Sequence, residues 1–131
     1  DRGWEFELMR KRGGHLFSKH RFLAAQMLMW LAGDLWLDLA RHANAMAARL
    51  AEGIAATPGA RLVHPAQSNV LFAAFPRATH QRLQDAGAHY HLWPGDQSMK
   101  GPAEEPLAAR LVCSWATTEA EIDTFLGHLR G

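Results

Sequence analysis

Apolar residues recur at three- and four-residue steps in the first half of this chain and gather into short runs in the second. Between Leu16 and Ala32, Phe22, Leu23, Met27, Trp30 and Leu31 fall on helical spacing. Gly33 ends that helix and Asp34 is placed to cap the next. From about Leu35 to Ala56, Leu39, Ala43, Met46, Leu50 and Ile54 form one apolar face, with Arg41, Arg49 and Glu52 on or near the other side. Ahead of both, Glu5 to Arg12 reads as a short helical or irregular lead-in that stops at Gly13-Gly14.

After Pro58-Gly59 the period changes. Arg61 to His64 predicts a short strand, and Asn69 to Phe75, nearly all apolar, predicts a central one. Arg77 to Ala86 is a short helix ended by Gly87, and His89 to Trp93 alternates as a strand does. Pro94 to Ala108, rich in Pro, Gly and charge, reads as a loop. Ala109 to Trp115 is the last strand. Thr117 or Thr118 can cap the last helix, with Glu119 and Glu121 in its first turn and Ile122, Phe125, Leu126 and Leu129 on its buried face. This order predicts an α+β domain: a short, mostly antiparallel sheet covered by helices on one face and preceded by two helices. Residues 1–56 form the lead-in and long helices, and residues 57–131 the α/β part.

With 131 residues and 48% hydrophobic composition, the chain is long enough for one domain with a real core. Its net charge of +1, with signs mixed along the chain, provides no global field for nucleic acid. One cysteine, Cys113, cannot form an internal disulfide, which predicts a reducing, cytoplasmic setting. No uninterrupted apolar run reaches the ~18 residues of a membrane span, so no membrane partner is expected. The N-terminus has neither an initiator Met nor a signal-peptide pattern, and the chain is expected to be cut from something longer.

Arg110 is the first candidate for chemistry. It stands at the start of the predicted last strand, in Ala109-Arg110-Leu111-Val112-Cys113-Ser114-Trp115. Arg is rare in apolar surroundings unless paired, and its planar fork matches a carboxylate with two parallel hydrogen bonds. Such an arginine is a carboxylate clamp, a strand-edge arginine in solvent, or one half of an internal ion pair. The second candidate is basic: Arg10-Lys11-Arg12-Gly13-Gly14-His15, followed by Ser18-Lys19-His20-Arg21. Glycines ahead of a helix free backbone N–H groups, and cations around them suit a phosphate; the alternative is a solvated basic face. Phe17 and Phe22 provide little aromatic interleaving for nucleic acid. His89 and His91 alternate on one strand, which reads as a polar outer face more readily than as a metal pair. Cys113, on an apolar strand with no activating base beside it in sequence, reads as a core residue.

Several segments, in order, resemble bacterial low-specificity threonine aldolases. Arg10 to Gln26 resembles the segment after that family's cofactor lysine, and Asp34-Leu35-Trp36-Leu37 with Ala40 to Ala47 resembles the long helix that follows. His64-Pro65 with Asn69 to Phe72 is similar to the next strand pair. Arg110 to Trp115 with Thr117-Thr118-Glu119 is similar to the closing strand and helix.

The resemblance implies the small C-terminal domain of a fold-type-I, pyridoxal-phosphate enzyme of the β-eliminating-lyase group. A large cofactor-binding domain with the Schiff-base lysine is then expected upstream. None of the three lysines, Lys11, Lys19 and Lys100, stands in the family's cofactor-lysine context, so this chain alone is expected to be inactive. The implied reaction is retro-aldol cleavage of L-threonine or L-allo-threonine-type β-hydroxy amino acids to glycine and an aldehyde. The resemblance makes Arg110 the substrate-carboxylate arginine, with Lys19 first and Arg12 second as contacts of the cofactor phosphate; Ser18-Lys19 stand where the commoner pattern has an arginine. It implies a homodimer or homotetramer. Another pyridoxal-phosphate β-eliminating lyase, a phenylserine or β-hydroxyaspartate aldolase, or a non-catalytic anion- or partner-binding module are the alternatives.

Overall fold

A computed structural model describes residues 2–16 and 18–131; Phe17, within the first predicted long helix, lies outside them. The described chain forms two compact units, residues 1–36 and 37–131.

The first unit is helical. Helix α1 (Arg2–Arg12) carries Glu5 in its first turn and Arg10, Lys11 and Arg12 in its last, so charges of each sign stand at the favourable end of the helix dipole. Helix α2 (His20–Leu31) begins four residues later than its apolar spacing suggested. Gly14, at φ +74°, turns the chain out of α1, and the His20 ring bonds the His15 carbonyl across the turn at 2.8 Å. No side chain caps this helix. Gly33, at φ +57°, ends it as expected. Asp34 departs from expectation, because it adopts φ +60° where an N-cap needs an extended backbone.

The run His20–Ala55 also qualifies a sequence expectation about membranes. By length and composition alone it could cross one, since an 18-residue window has a mean hydropathy of 1.2 and is not buried. Counting only uninterrupted apolar residues passed over it. The left-handed turn at Gly33 breaks the run into two helices, and a core helix meets the same test.

The second unit begins with the rest of helix α3 (Leu35–Ala55). Ala43, Met46, Ala47, Leu50, Ala51 and Ile54 are buried on one face, as the 3.6-residue period requires. Four strands follow: β1 (Arg61–Leu62), β2 (Val70–Pro76), β3 (His91–Leu92) and β4 (Pro106–Val112), with helix α4 (Arg77–Asp85) after β2 and helix α5 (Glu119–Arg130) after β4. The sheet order is β1-β2-β4-β3 and every pair is antiparallel. The predicted α+β class and central β2 both stand.

Side chains alternate across the sheet. Leu71, Ala73, Phe75, Ala109, Leu111 and Cys113 join Met46, Leu50, Ile54, Leu83, Ile122, Leu126 and Leu129 in one core, so the helices of this unit cover one face. Helix α5 starts with the full reciprocal cap: Thr118 Oγ1 accepts from Glu121 N, and the Glu121 carboxylate accepts from Thr118 N.

Two strand expectations need correction. Strand β4 begins at Pro106, because Pro106, Leu107 and Ala108 continue the pairing with Pro76, Phe75 and Ala74. Strand β3 keeps only His91 and Leu92 of the predicted His89–Trp93. Tyr90 turns into the core, packing edge-on to Phe75 and Phe125. Beyond Leu92, Trp93 N donates to Ala108 O, and the Gln97 amide both donates to that oxygen and accepts from Ala108 N. A side chain thus completes the ladder where the strand stops.

Candidate functional site

The deeply buried arginine of this fold is Arg77. Nothing in its sequence context marks it, because Arg77 follows Pro76 at the entry to a polar helix. Proline has no side-chain acceptor to cap α4. The first free N–H groups of the helix instead donate to loop carbonyls: Arg77 N to Glu105 O and Ala78 N to Ala103 O, both at 2.9 Å. The Arg77 guanidinium then donates to Ser98 O, Pro102 O and the Glu105 carboxylate, at 2.7 Å for the last. All of this arginine's partners are internal, so its role is to staple the loop between Pro94 and Pro106.

Arg110 is arranged differently. It lies in the middle of β4, not at its start, because the strand begins four residues earlier. It faces away from the core. Its cross-strand partners are Phe72 on β2 and His91 on β3, which puts the three side chains on the sheet face opposite the helices of this unit. Arg110 is half-buried, and its guanidinium carbon stands 5.6 Å from the centre of the Trp93 ring. Trp93 tilts against Phe72 at 6.2 Å, and Phe72 meets His64 edge-on at 5.7 Å. Arg110 also helps line a cleft with Gln84, His89, His91 and Val112.

The Nε of Arg110 is buried without a hydrogen-bond partner, and no carboxylate pairs with this arginine among the described residues. A buried donor left unmade is costly and calls for an acceptor. The internal ion pair is therefore the alternative the geometry disfavours, and β4, paired on both sides, is not a sheet edge.

The other candidates sort clearly. Lys19 precedes the uncapped first turn of α2, and Arg12 ends α1; both are exposed, and both belong to residues 1–36. His89 and His91 are exposed on either side of the inward-turned Tyr90. Cys113 is a core residue whose thiol is pushed up by burial, away from the reactive thiolate. His80, which the sequence did not single out, is fully buried and stacked on Phe75 at 3.9 Å. One ring nitrogen donates to Leu107 O and the other accepts from Tyr90 Oη, each at 3.0 Å. Burial lowers its pKa and raises that of Tyr90, so both are neutral core residues.

The chain is 34% identical over 113 residues to a low-specificity L-threonine aldolase of Pseudomonas aeruginosa, covering 86% of this chain and 30% of the relative. It is 30% identical over 126 residues to the same enzyme of a Pseudomonas sp., covering 96% and 34%. The chain belongs to the low-specificity L-threonine aldolase family. It spans about a third of the length of these curated relatives. No family model matches it. Among solved structures, the threonine aldolase of Leishmania major superposes with a TM-score of 0.78 at 28% identity, over 94% of this chain and 34% of that one. The serine palmitoyltransferase of Sphingomonas wittichii shares the fold at a TM-score of 0.55 and 18% identity, over 71% and 24%. A serine palmitoyltransferase variant of S. paucimobilis with a bound pyridoxal-phosphate–myriocin aldimine does so at 0.51 and 22%, over 69% and 23%. The α+β architecture of this chain matches a domain of fold-type-I pyridoxal-phosphate enzymes.

Proposed function

We propose that this chain is the C-terminal part of a pyridoxal-phosphate-dependent aldolase that cleaves L-threonine and L-allo-threonine-type β-hydroxy amino acids to glycine and an aldehyde. The observation that carries the reading is Arg110: half-buried, with a buried Nε that has no partner, on the sheet face opposite the helices of its unit. A guanidinium so placed accepts an α-carboxylate through two parallel hydrogen bonds. Holding the carboxylate fixes the orientation of the Cα–Cβ bond, which is a positioning contribution to cleavage.

The cofactor, when bound, supplies the electron sink for that cleavage. On the chain's own side, the donors around the Gly13-Gly14 turn fit its phosphate: two cations, Lys19 and Arg12, beside a helix start without a side-chain cap. Lys19 is the first choice of contact and Arg12 the second. The lysine that bonds the cofactor belongs to a large domain upstream of this chain, and the whole protein is a cytoplasmic homodimer or homotetramer in this reading.

The test is Arg110→Ala in the protein that carries this chain. KM for L-threonine is expected to rise at least about tenfold, because truncating one partner of a charged pair strands the other. Cofactor absorbance is expected to stay unchanged. An unaltered KM would overturn the assignment of Arg110.

A further inference from the structure

We propose that Trp93 is a positioning residue for Arg110, holding the guanidinium in its ligand-ready orientation. The inference rests on the reading of Arg110 as the carboxylate-binding arginine. An arginine without an ion-pair partner samples many rotamers, and ordering them on binding weakens affinity. Arg110 has no such partner among the described residues; beside it is the Trp93 ring, whose centre lies 5.6 Å from the guanidinium carbon. A cation over an aromatic face is held without using its hydrogen-bonding edge. The fork therefore remains free for a carboxylate.

Trp93 is itself fixed. Its backbone N–H donates to Ala108 O at 2.9 Å, two residues before Arg110 on the same strand. Its ring rests against Phe72, the cross-strand partner of Arg110, and Phe72 is braced by His64. The three rings thus form a shelf on the same sheet face as the guanidinium. The cleft that Arg110 helps line is walled by Gln84, His89, His91 and Val112, while the Trp93 ring stands beside the guanidinium. At 50% exposure, the ring contributes little core burial, which separates this role from a purely structural one.

The test uses the whole cofactor-loaded protein. KM and kcat for L-threonine are measured for Trp93→Leu and Trp93→Phe, alone and combined with Arg110→Ala, and glycine affinity is measured by calorimetry as a carboxylate probe that does not depend on turnover. Trp93→Leu is expected to raise KM and the glycine Kd by about three- to tenfold, with kcat changed less than about twofold. Trp93→Phe, which keeps a π face, is expected to restore most of the affinity. In the Arg110→Ala background, Trp93→Leu is expected to add nothing. An equal loss in that background, or a Phe variant as weak as the Leu variant, would overturn the positioning role while leaving Arg110's own role intact. If Arg110→Ala changes neither KM nor glycine affinity, the underlying reading fails, and this inference fails with it. Thermal melts of each variant identify any that do not fold; should Trp93→Leu be one, Trp93→Met, which also lacks an aromatic ring, supplies the same comparison.

Discussion

Leu126 occupies the space that a β-carbon on Gly53 would need. A Cβ built there would stand 2.2 Å from Leu126 Cδ1 and 2.6 Å from Cδ2. Helix α3 accepts a glycine, at a helix-propensity cost of about 1 kcal/mol relative to alanine, so that α5 can seat its leucine. Gly53→Ala is accordingly expected to destabilise the chain by about 1–3 kcal/mol, despite the better propensity of alanine. Gly53→Ala/Leu126→Ala is expected to be less unstable than the sum of the two single changes. Urea unfolding of the four variants checks this, and additivity would mean that the helices do not meet at this point.

The Arg77 staple leads to a second prediction. Arg77→Met keeps an apolar stem but removes the donors to Ser98 O, Pro102 O and Glu105. A loss of about 1–3 kcal/mol is expected from the stranded carbonyls and carboxylate, together with faster proteolysis between Pro94 and Pro106. Limited digestion followed by mass spectrometry locates the cuts. Gly101→Ala should produce a milder version of the same defect, since its Cβ would press on the Arg77 guanidinium from 2.8 Å and φ there is +142°.

His80 makes stability depend on pH. Burial holds its folded pKa below the ordinary 6.5, so below that value the unfolded chain binds more protons than the folded one. The His80 contribution is complete above pH 6.5 and is lost as pH falls from there toward the folded value. His80→Phe should flatten this part of the stability–pH curve, measured by urea titration at several pH values. A curve of unchanged slope would mean that His80 does not titrate with unfolding. Glu121 adds a separate loss further into acid, because its bonds to Thr118 hold its pKa below the usual carboxylate range.

Lys19 allows a cofactor prediction that does not depend on turnover. Lys19→Ala is expected to weaken pyridoxal-phosphate binding, read as the cofactor absorbance retained on dilution and dialysis of the whole protein. Arg12→Ala is expected to weaken it less. Retention equal to the parent in both variants would remove the basic turn from the cofactor site.

The element order was legible because each helix face repeats on its own period. Leu39, Ala43, Met46, Leu50 and Ile54 mark α3 without knowledge of what covers them, and all but the half-buried Leu39 are buried. Thr118 and Glu121 marked the start of α5 for a similarly local reason. The beginning of β4 was not legible, because Pro106, Leu107 and Ala108 take their extended form from the pairing with β2 and sit in a run that looks like loop. Arg77 was missed because its partners are backbone carbonyls, which leave no pattern in side-chain order. Arg110 was found, but which side of the strand it faced needed the register. Trp93 lies 17 positions earlier in the chain, and only the fold brings its ring to the guanidinium.

The alternation of β4 also governs which changes of length this protein can tolerate. Residues between Pro94 and Pro106 can be gained or lost without altering the side of the sheet on which Arg110 emerges, provided the Arg77 contacts are rebuilt. Between Pro106 and Arg110, one added or deleted residue would turn the guanidinium into the apolar layer and Leu111 out of it. Pro106 is therefore a boundary between a stretch whose length is free and one whose residue count is fixed by parity.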